Sequence, residues 1–219
     1  MISMKNFVSE LLATFALVFC GTGAIIIDQL SGGAITHIGV ALTFGLVVMC
    51  MIFAFGKISG AHMNPAVSLA MVIAGELKPV KLPVYIGGQA IGALMASITF
   101  KMLFPGNQLL GTTLPSGGEM QSFILEVILT LFLMLSILNI SKSKQDHFAI
   151  IGVAIGGVVG LEALFAGPVC GASMNPVRSL APALVSGHLE HLWIYLTAPP
   201  AGALLAVPVH KLFYNNATL

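Results

Sequence analysis

Two asparagine–proline pairs are the polar residues whose spacing could do chemistry in this chain. The stretch SGAHMNPAVSLA, from Ser59 to Ala70, recurs as CGASMNPVRSLA from Cys170 to Ala181. Asparagine is a strong N-cap, and proline fits the first turn of a helix because its missing N–H would be unpaired there. Helices are therefore predicted to start at Pro65 and Pro176. A helix N-terminus carries roughly half a positive charge. Two such ends aimed at one place, with the amide N–H groups of Asn64 and Asn175 between them, make a positive, hydrogen-bond-donating zone. Cations are repelled there, and water is held with its hydrogens pointing away on either side, which breaks proton relay. The chemistry favoured is passage of a small, uncharged, hydrogen-bonding solute. Before each pair lies backbone read as non-helical: Gly60, Ala61 and His62, then Gly171, Ala172 and Ser173. Their carbonyls need partners, which a passing hydroxyl or water can supply.

The remaining polar residues are few. Arg178 follows the second pair and has no counterpart in the first. An arginine at membrane depth is expensive and functional by default. Glu10 and Glu126 each precede a threonine by four positions, Thr14 and Thr130. Their symmetry favours carboxylates that accept hydrogen bonds from unpaired loop backbone over a proton relay. Glu162 lacks a counterpart and adjoins Ala163. It either touches the passage or pairs with a loop. His62 reads as a structural tie for its loop. No second His or Cys stands at ligand spacing, so no metal and no cofactor are expected. No nucleophile–base pair suggests an enzyme.

Composition fixes the setting for these groups. The 219 residues are 57% hydrophobic and 8% charged, with mean hydropathy +1.00. Soluble domains carry about a quarter charged residues, so the chain reads as an integral membrane protein whose partner is the lipid bilayer. A net charge of +1 gives no reason to expect nucleic acid. Cys20, Cys50 and Cys170 lack a disulfide spacing, and Cys20 and Cys50 read as small core hydrophobes.

Six segments are long enough to cross a bilayer, which takes about 20 apolar residues: Phe7–Ile27, Ala34–Phe55, Leu82–Phe104, Gln121–Ile140, Phe148–Gly167 and Leu192–Phe213. Two shorter ones, Asn64–Ala74 and Asn175–Val185, would each be about 17 Å long and cannot cross alone. Lys5, Lys57, Lys78, Lys81, Lys142, Lys144 and Lys211 fall on one side of this arrangement, with Lys101 opposite. The positive-inside rule puts both termini in the cytoplasm. The first short segment then dips in from the cytoplasm and the second from outside. The connection from Lys142 to His147 is short and basic, and nothing in it indicates gating.

The repeat extends beyond the short segments. YIGGQAIGALMA starts at Tyr85 and YLTAPPAGALLA at Tyr195, and paired features lie 110 to 116 positions apart. Three spans plus one half-helix thus occur twice, in residues of about 1–105 and 119–213 of a single transmembrane domain, 1–219. Three is odd, so the copies run in opposite directions, a common plan for transport proteins.

With these motifs in hand, the chain resembles the aquaporin, or major intrinsic protein, superfamily over essentially its whole length. SGAHMNPAVS, FPG at Phe104 and GASMNPVRSLAPAL from Gly171 carry the likeness. LFAGPVCGASMNPVRSLAPAL is similar to the nodulin-26-like branch and its bacterial relatives. The resemblance implies an all-α membrane protein, a right-handed bundle of six transmembrane helices plus two re-entrant half-helices in an inverted repeat. It also implies a homotetramer with one pore per subunit, in the inner membrane of a prokaryote. The function implied is passive passage of water and small neutral solutes: glycerol, urea and metalloid hydroxides. By the family's pattern the narrow filter falls on Phe44, Ala163, Ala172 and Arg178. Strict water channels have histidine where Ala163 stands, so this filter should be wider and less polar. Phe44 departs from the tryptophan frequent in the nodulin-like branch, and the second aromatic of glycerol facilitators is missing. Val177 replaces the usual alanine and either adjusts packing or alters selectivity. Other readings are a strictly water-selective pore, an ion-coupled transporter, whose relay would have to be the paired glutamates, and a structural junction protein with a vestigial pore.

Overall fold

Long apolar runs with few charges become helices here because a bilayer offers no partner for backbone N–H and C=O groups. The computed structural model describes residues 4–142 and 148–214. Most of the Lys142–His147 connection lies outside the described residues. Among the described residues there are eight α-helices and one 3-10 turn (Pro79–Lys81), and no strand. The six long ones are α1 (Met4–Leu30), α2 (Thr36–Ser59), α4 (Leu82–Leu103), α5 (Glu119–Lys142), α6 (Phe148–Cys170) and α8 (Leu192–Tyr214). Each is long and apolar enough to span a bilayer. The two short ones are α3 (Pro65–Ile73, 9 residues) and α7 (Pro176–Ser186, 11 residues). The predicted spans and half-helices agree with these to within a few residues.

The packing follows the repeat. α1 packs along α4, α5 along α8, and α2 along α6. Each half-helix lies against the last span of the other half, α3 on α8 and α7 on α4. Small residues permit these approaches, as is general for helices in lipid. A Cβ on Gly92 would come 2.2 Å from the carbonyl oxygen of Leu11, and one on Gly202 would come 2.2 Å from that of Val127. Gly92 and Gly202 hold the same position in the repeated YIGGQAIGALMA and YLTAPPAGALLA stretches. The repeat therefore preserves the point of closest helix contact.

One expectation is corrected. Cys20 and Cys50 are exposed on the outside of the bundle, and Cys170 alone of the three is buried. Apolar surroundings in sequence do not mean the interior in a membrane protein, since lipid is as apolar as the core.

Candidate functional site

The two half-helices start at the centre of the bundle. Asn64 and Asn175 are extended N-caps; the Asn64 Oδ1 accepts from the Ala66 N–H, and the Asn175 Oδ1 from those of Val177 and Arg178. Each amide also reaches across. Asn64 Nδ2 donates to the Met174 carbonyl at 2.7 Å, and Asn175 Nδ2 donates to the Met63 carbonyl at 2.7 Å. One N–H of each asparagine is thus committed to the opposite loop, not to the passage. Both side chains still line the central cavity.

The loops leading in share an unusual backbone. Ala61 and Met63 have φ of 48° and 53°, and Ala172 and Met174 have 40° and 52°. Left-handed conformations cost non-glycine residues energy and persist where the surroundings fix them. Here buried carboxylates supply the fixing. Glu10 accepts from the His62 and Met63 N–H groups at 2.9 and 2.8 Å, from the Ser59 hydroxyl at 2.6 Å, and from Gln89 Nε2 at 2.8 Å. Glu126 accepts from the Ser173 and Met174 N–H groups, each at 2.7 Å. The arrangement turns the loop N–H groups away from the cavity. Among the described residues, no protein donor reaches the carbonyls of Gly60, Ala61, His62, Gly171, Ala172 or Ser173. Five of these six residues line the central cavity, and Gly171 lines the outer one. His62 Nδ1 lies 3.0 Å from the Ser68 hydroxyl, and in the second copy Ser173 Oγ lies 2.6 Å from Ser179 Oγ.

Sequence reasoning missed several partners. The Tyr85 hydroxyl donates to the Ser59 carbonyl and the Tyr195 hydroxyl to the Cys170 carbonyl, each at the end of a span. The signal was present, since both tyrosines open the repeated stretch. Gln89, which bridges Glu10 and Ser68, has Pro199 as its counterpart. The apolar wall facing the loop carbonyls was also missed: Val48 and Ile52 on α2, and Ile155 and Val159 on α6. These follow Phe44 and precede Ala163 at intervals of four, one helical face.

Two cavities meet in this region. The inner one, about 80 Å³, holds both asparagines. The outer one, about 460 Å³, is bordered by Asp28, Gln29, His37 and Thr113. Four residues line both: Phe44, Ala163, Ala172 and Arg178. They form the neck between the two spaces. The Arg178 guanidinium carbon stands 5.0 Å from the Phe44 ring centroid, and Nη1 donates to the Gly111 carbonyl at 2.9 Å. No carboxylate forms an ion pair with Arg178 among the described residues. Its charge faces the neck uncompensated by a direct partner.

Two undecided residues are placed. Val177 is buried in a cluster with Val18, Ala93, Ala96 and Ala181, away from the passage lining. Its extra bulk packs α7 onto α1 and α4. Glu162 is buried and does not line either cavity at the neck, and its Oε2 has no hydrogen-bond partner.

A bundle of membrane spans, two half-helices joined tip to tip and two cavities that meet at one charged neck define a membrane channel, integral and multi-pass. The chain belongs to the major intrinsic protein family, whose model matches residues 1–210. It is 41% identical over 218 residues to Aquaporin NIP1-1 of Zea mays, covering 99% of this chain and 77% of that protein. It is 37% identical over 210 residues to Nodulin-26 of Glycine max, covering 95% and 78%. The X-ray structure of the aquaglyceroporin from Plasmodium falciparum superposes with a TM-score of 0.86 at 27% identity, covering 97% of this chain and 96% of that one. The likeness to the nodulin-26-like branch read from the second half therefore holds over nearly the whole chain.

Proposed function

We infer that the protein is a passive channel for water and small uncharged solutes, glycerol and urea among them, that excludes ions and protons. The observation that carries this is the neck. Two of its four walls are alanine, so it lacks the side-chain bulk and the extra polar donor that would restrict it to water. Phe44 offers an apolar face to a carbon backbone, and Arg178 offers donors to hydroxyl oxygens. Neutral metalloid hydroxides, such as arsenous or boric acid, have the same size and hydroxyl chemistry and fit the same neck. In this reading Phe44, Ala163, Ala172 and Arg178 are the selectivity filter. Asn64 and Asn175 orient the solute at the centre, and the free loop carbonyls accept its hydrogen bonds. Glu10 and Glu126 hold the loops, and Pro65 and Pro176 start the half-helices.

The test is stopped-flow light scattering on purified protein in liposomes, with water, glycerol and urea gradients, plus arsenous acid uptake. Glycerol and urea should cross faster than in protein-free vesicles, without dependence on an ion gradient. Permeation of water alone would overturn the wide-neck reading, and flux coupled to an ion gradient would overturn the channel reading.

The repeat boundaries, about 1–105 and 119–213, are part of the same proposal, supported by the reciprocal asparagine bonds. So is a homotetramer. A groove of about 270 Å³ on the outer face of α2 and α6, floored by Gly45, Gly156, Gly157 and Gly160, offers a small-residue seat for a second copy. We place both termini in the cytoplasm on the lysine distribution. The prokaryotic inner membrane expected from the sequence draws no support from the relatives named above, which are plant proteins.

A further inference from the structure

Phe44 is fixed on several sides. A Cβ built on Gly21 of α1 would lie 2.1 Å from Phe44 Cε1, 2.4 Å from Cζ and 2.6 Å from Cδ1. The ring edge therefore occupies the space that any side chain at position 21 would need. The face of the same ring lies under the Arg178 guanidinium, 5.0 Å from its carbon. The backbone of α2 has no room to retreat. Next to Phe44, a Cβ on Gly45 would come 2.7 Å from the Gly156 carbonyl oxygen of α6. Arg178 is itself held by Gly111. A methyl group at position 21 would leave the ring one way to go, away from α1 and into the neck that it lines.

We propose that Gly21, which lines neither cavity, is a specificity-determining residue: its missing side chain lets the Phe44 ring withdraw against α1 and so sets the aperture at the neck. The inference rests on the reading of the neck as the filter. It makes the filter five residues, one of which acts from behind the wall.

A control lies two positions away. A Cβ on Gly23 would come 2.6 Å from Phe100 Cζ. Phe100 belongs to a packed cluster with Ile26 and Leu110 and lines neither cavity. Gly23→Ala thus imposes the same kind of crowding on the same helix without touching the neck.

Wild type, Gly21→Ala, Gly23→Ala, Phe44→Leu and the double variant Gly21→Ala/Phe44→Leu would be compared in liposomes, reading the ratio of glycerol to water permeability. One added carbon in a tight site is expected to lower that ratio about tenfold in Gly21→Ala. Gly23→Ala should keep the wild-type ratio. Phe44→Leu changes the neck itself, but it and the double variant should share one ratio, because the smaller side chain leaves the methyl at position 21 no ring to push. An unchanged ratio in Gly21→Ala, an equal fall in Gly23→Ala, or a further fall of about tenfold from Phe44→Leu to the double variant would each overturn the inference. A wild type impermeable to glycerol would overturn the solute reading instead. The role of Gly21 is then decided on water permeability, which Gly21→Ala must lower in the wild-type background and leave unchanged in the Phe44→Leu background.

Discussion

At the scale of residues, the neck and the buried carboxylates make separate demands. Ala163 leaves one wall of the neck bare. Ala163→His adds bulk and a donor there, and should reduce glycerol permeability by roughly tenfold or more while water permeability falls less, as measured by stopped-flow scattering. The carboxylates act on stability. Glu126→Gln puts an amide N–H₂ where two loop N–H groups need acceptors, and should cost about 1–3 kcal/mol, seen as a lower unfolding temperature in detergent. Glu10→Gln should cost more, because that carboxylate takes four donors. Glu162 differs from both. One of its oxygens is buried without a partner, so Glu162→Leu should leave stability unchanged or raised. It should also leave permeability to water and glycerol at the wild-type level across pH, as the same two assays would show. Asn64, Asn175, Arg178 and the glutamates were legible in sequence because a polar residue in an apolar run stands out. The partners of Tyr85, Tyr195 and Gln89 were not, because only the packed bundle brings a span end to each tyrosine and Glu10 and Ser68 to Gln89.

At the scale of elements, length and composition were enough to separate spans from half-helices. A 9-residue helix opening on Asn-Pro cannot be mistaken for a 24-residue apolar one. Which face of each span points inward was not legible. Apart from Thr43 and Glu162, the middles of α2 and α6 are apolar on every side, and lipid exerts no hydrophobic preference between outside and inside. That is why Cys20 and Cys50 were assigned to the core and lie outside it. Close helix approach is the better guide to the inner face, and it is carried by glycine. Gly92→Ala and Gly202→Ala each drive a methyl into a facing carbonyl oxygen. Each should destabilise the bundle by about 1–3 kcal/mol, with similar losses in thermal unfolding because the two sites are equivalent.

At the scale of the whole molecule, the two halves are not independent modules laid side by side. Each half-helix leans on the last span of the other half, and each central asparagine bonds to the other half's loop. The sequence repeat exposed the duplication, but nothing in it showed that the central bonds cross over. The crossing has a consequence in time. Asn64 emerges from the ribosome 111 residues before Asn175, an interval on the order of ten seconds at cellular synthesis rates. During that interval the first half-helix sits in the membrane with its amide unmatched and the Met63 carbonyl without its donor. The nascent chain must therefore wait, sheltered or partly unseated, until the second half arrives to complete the first.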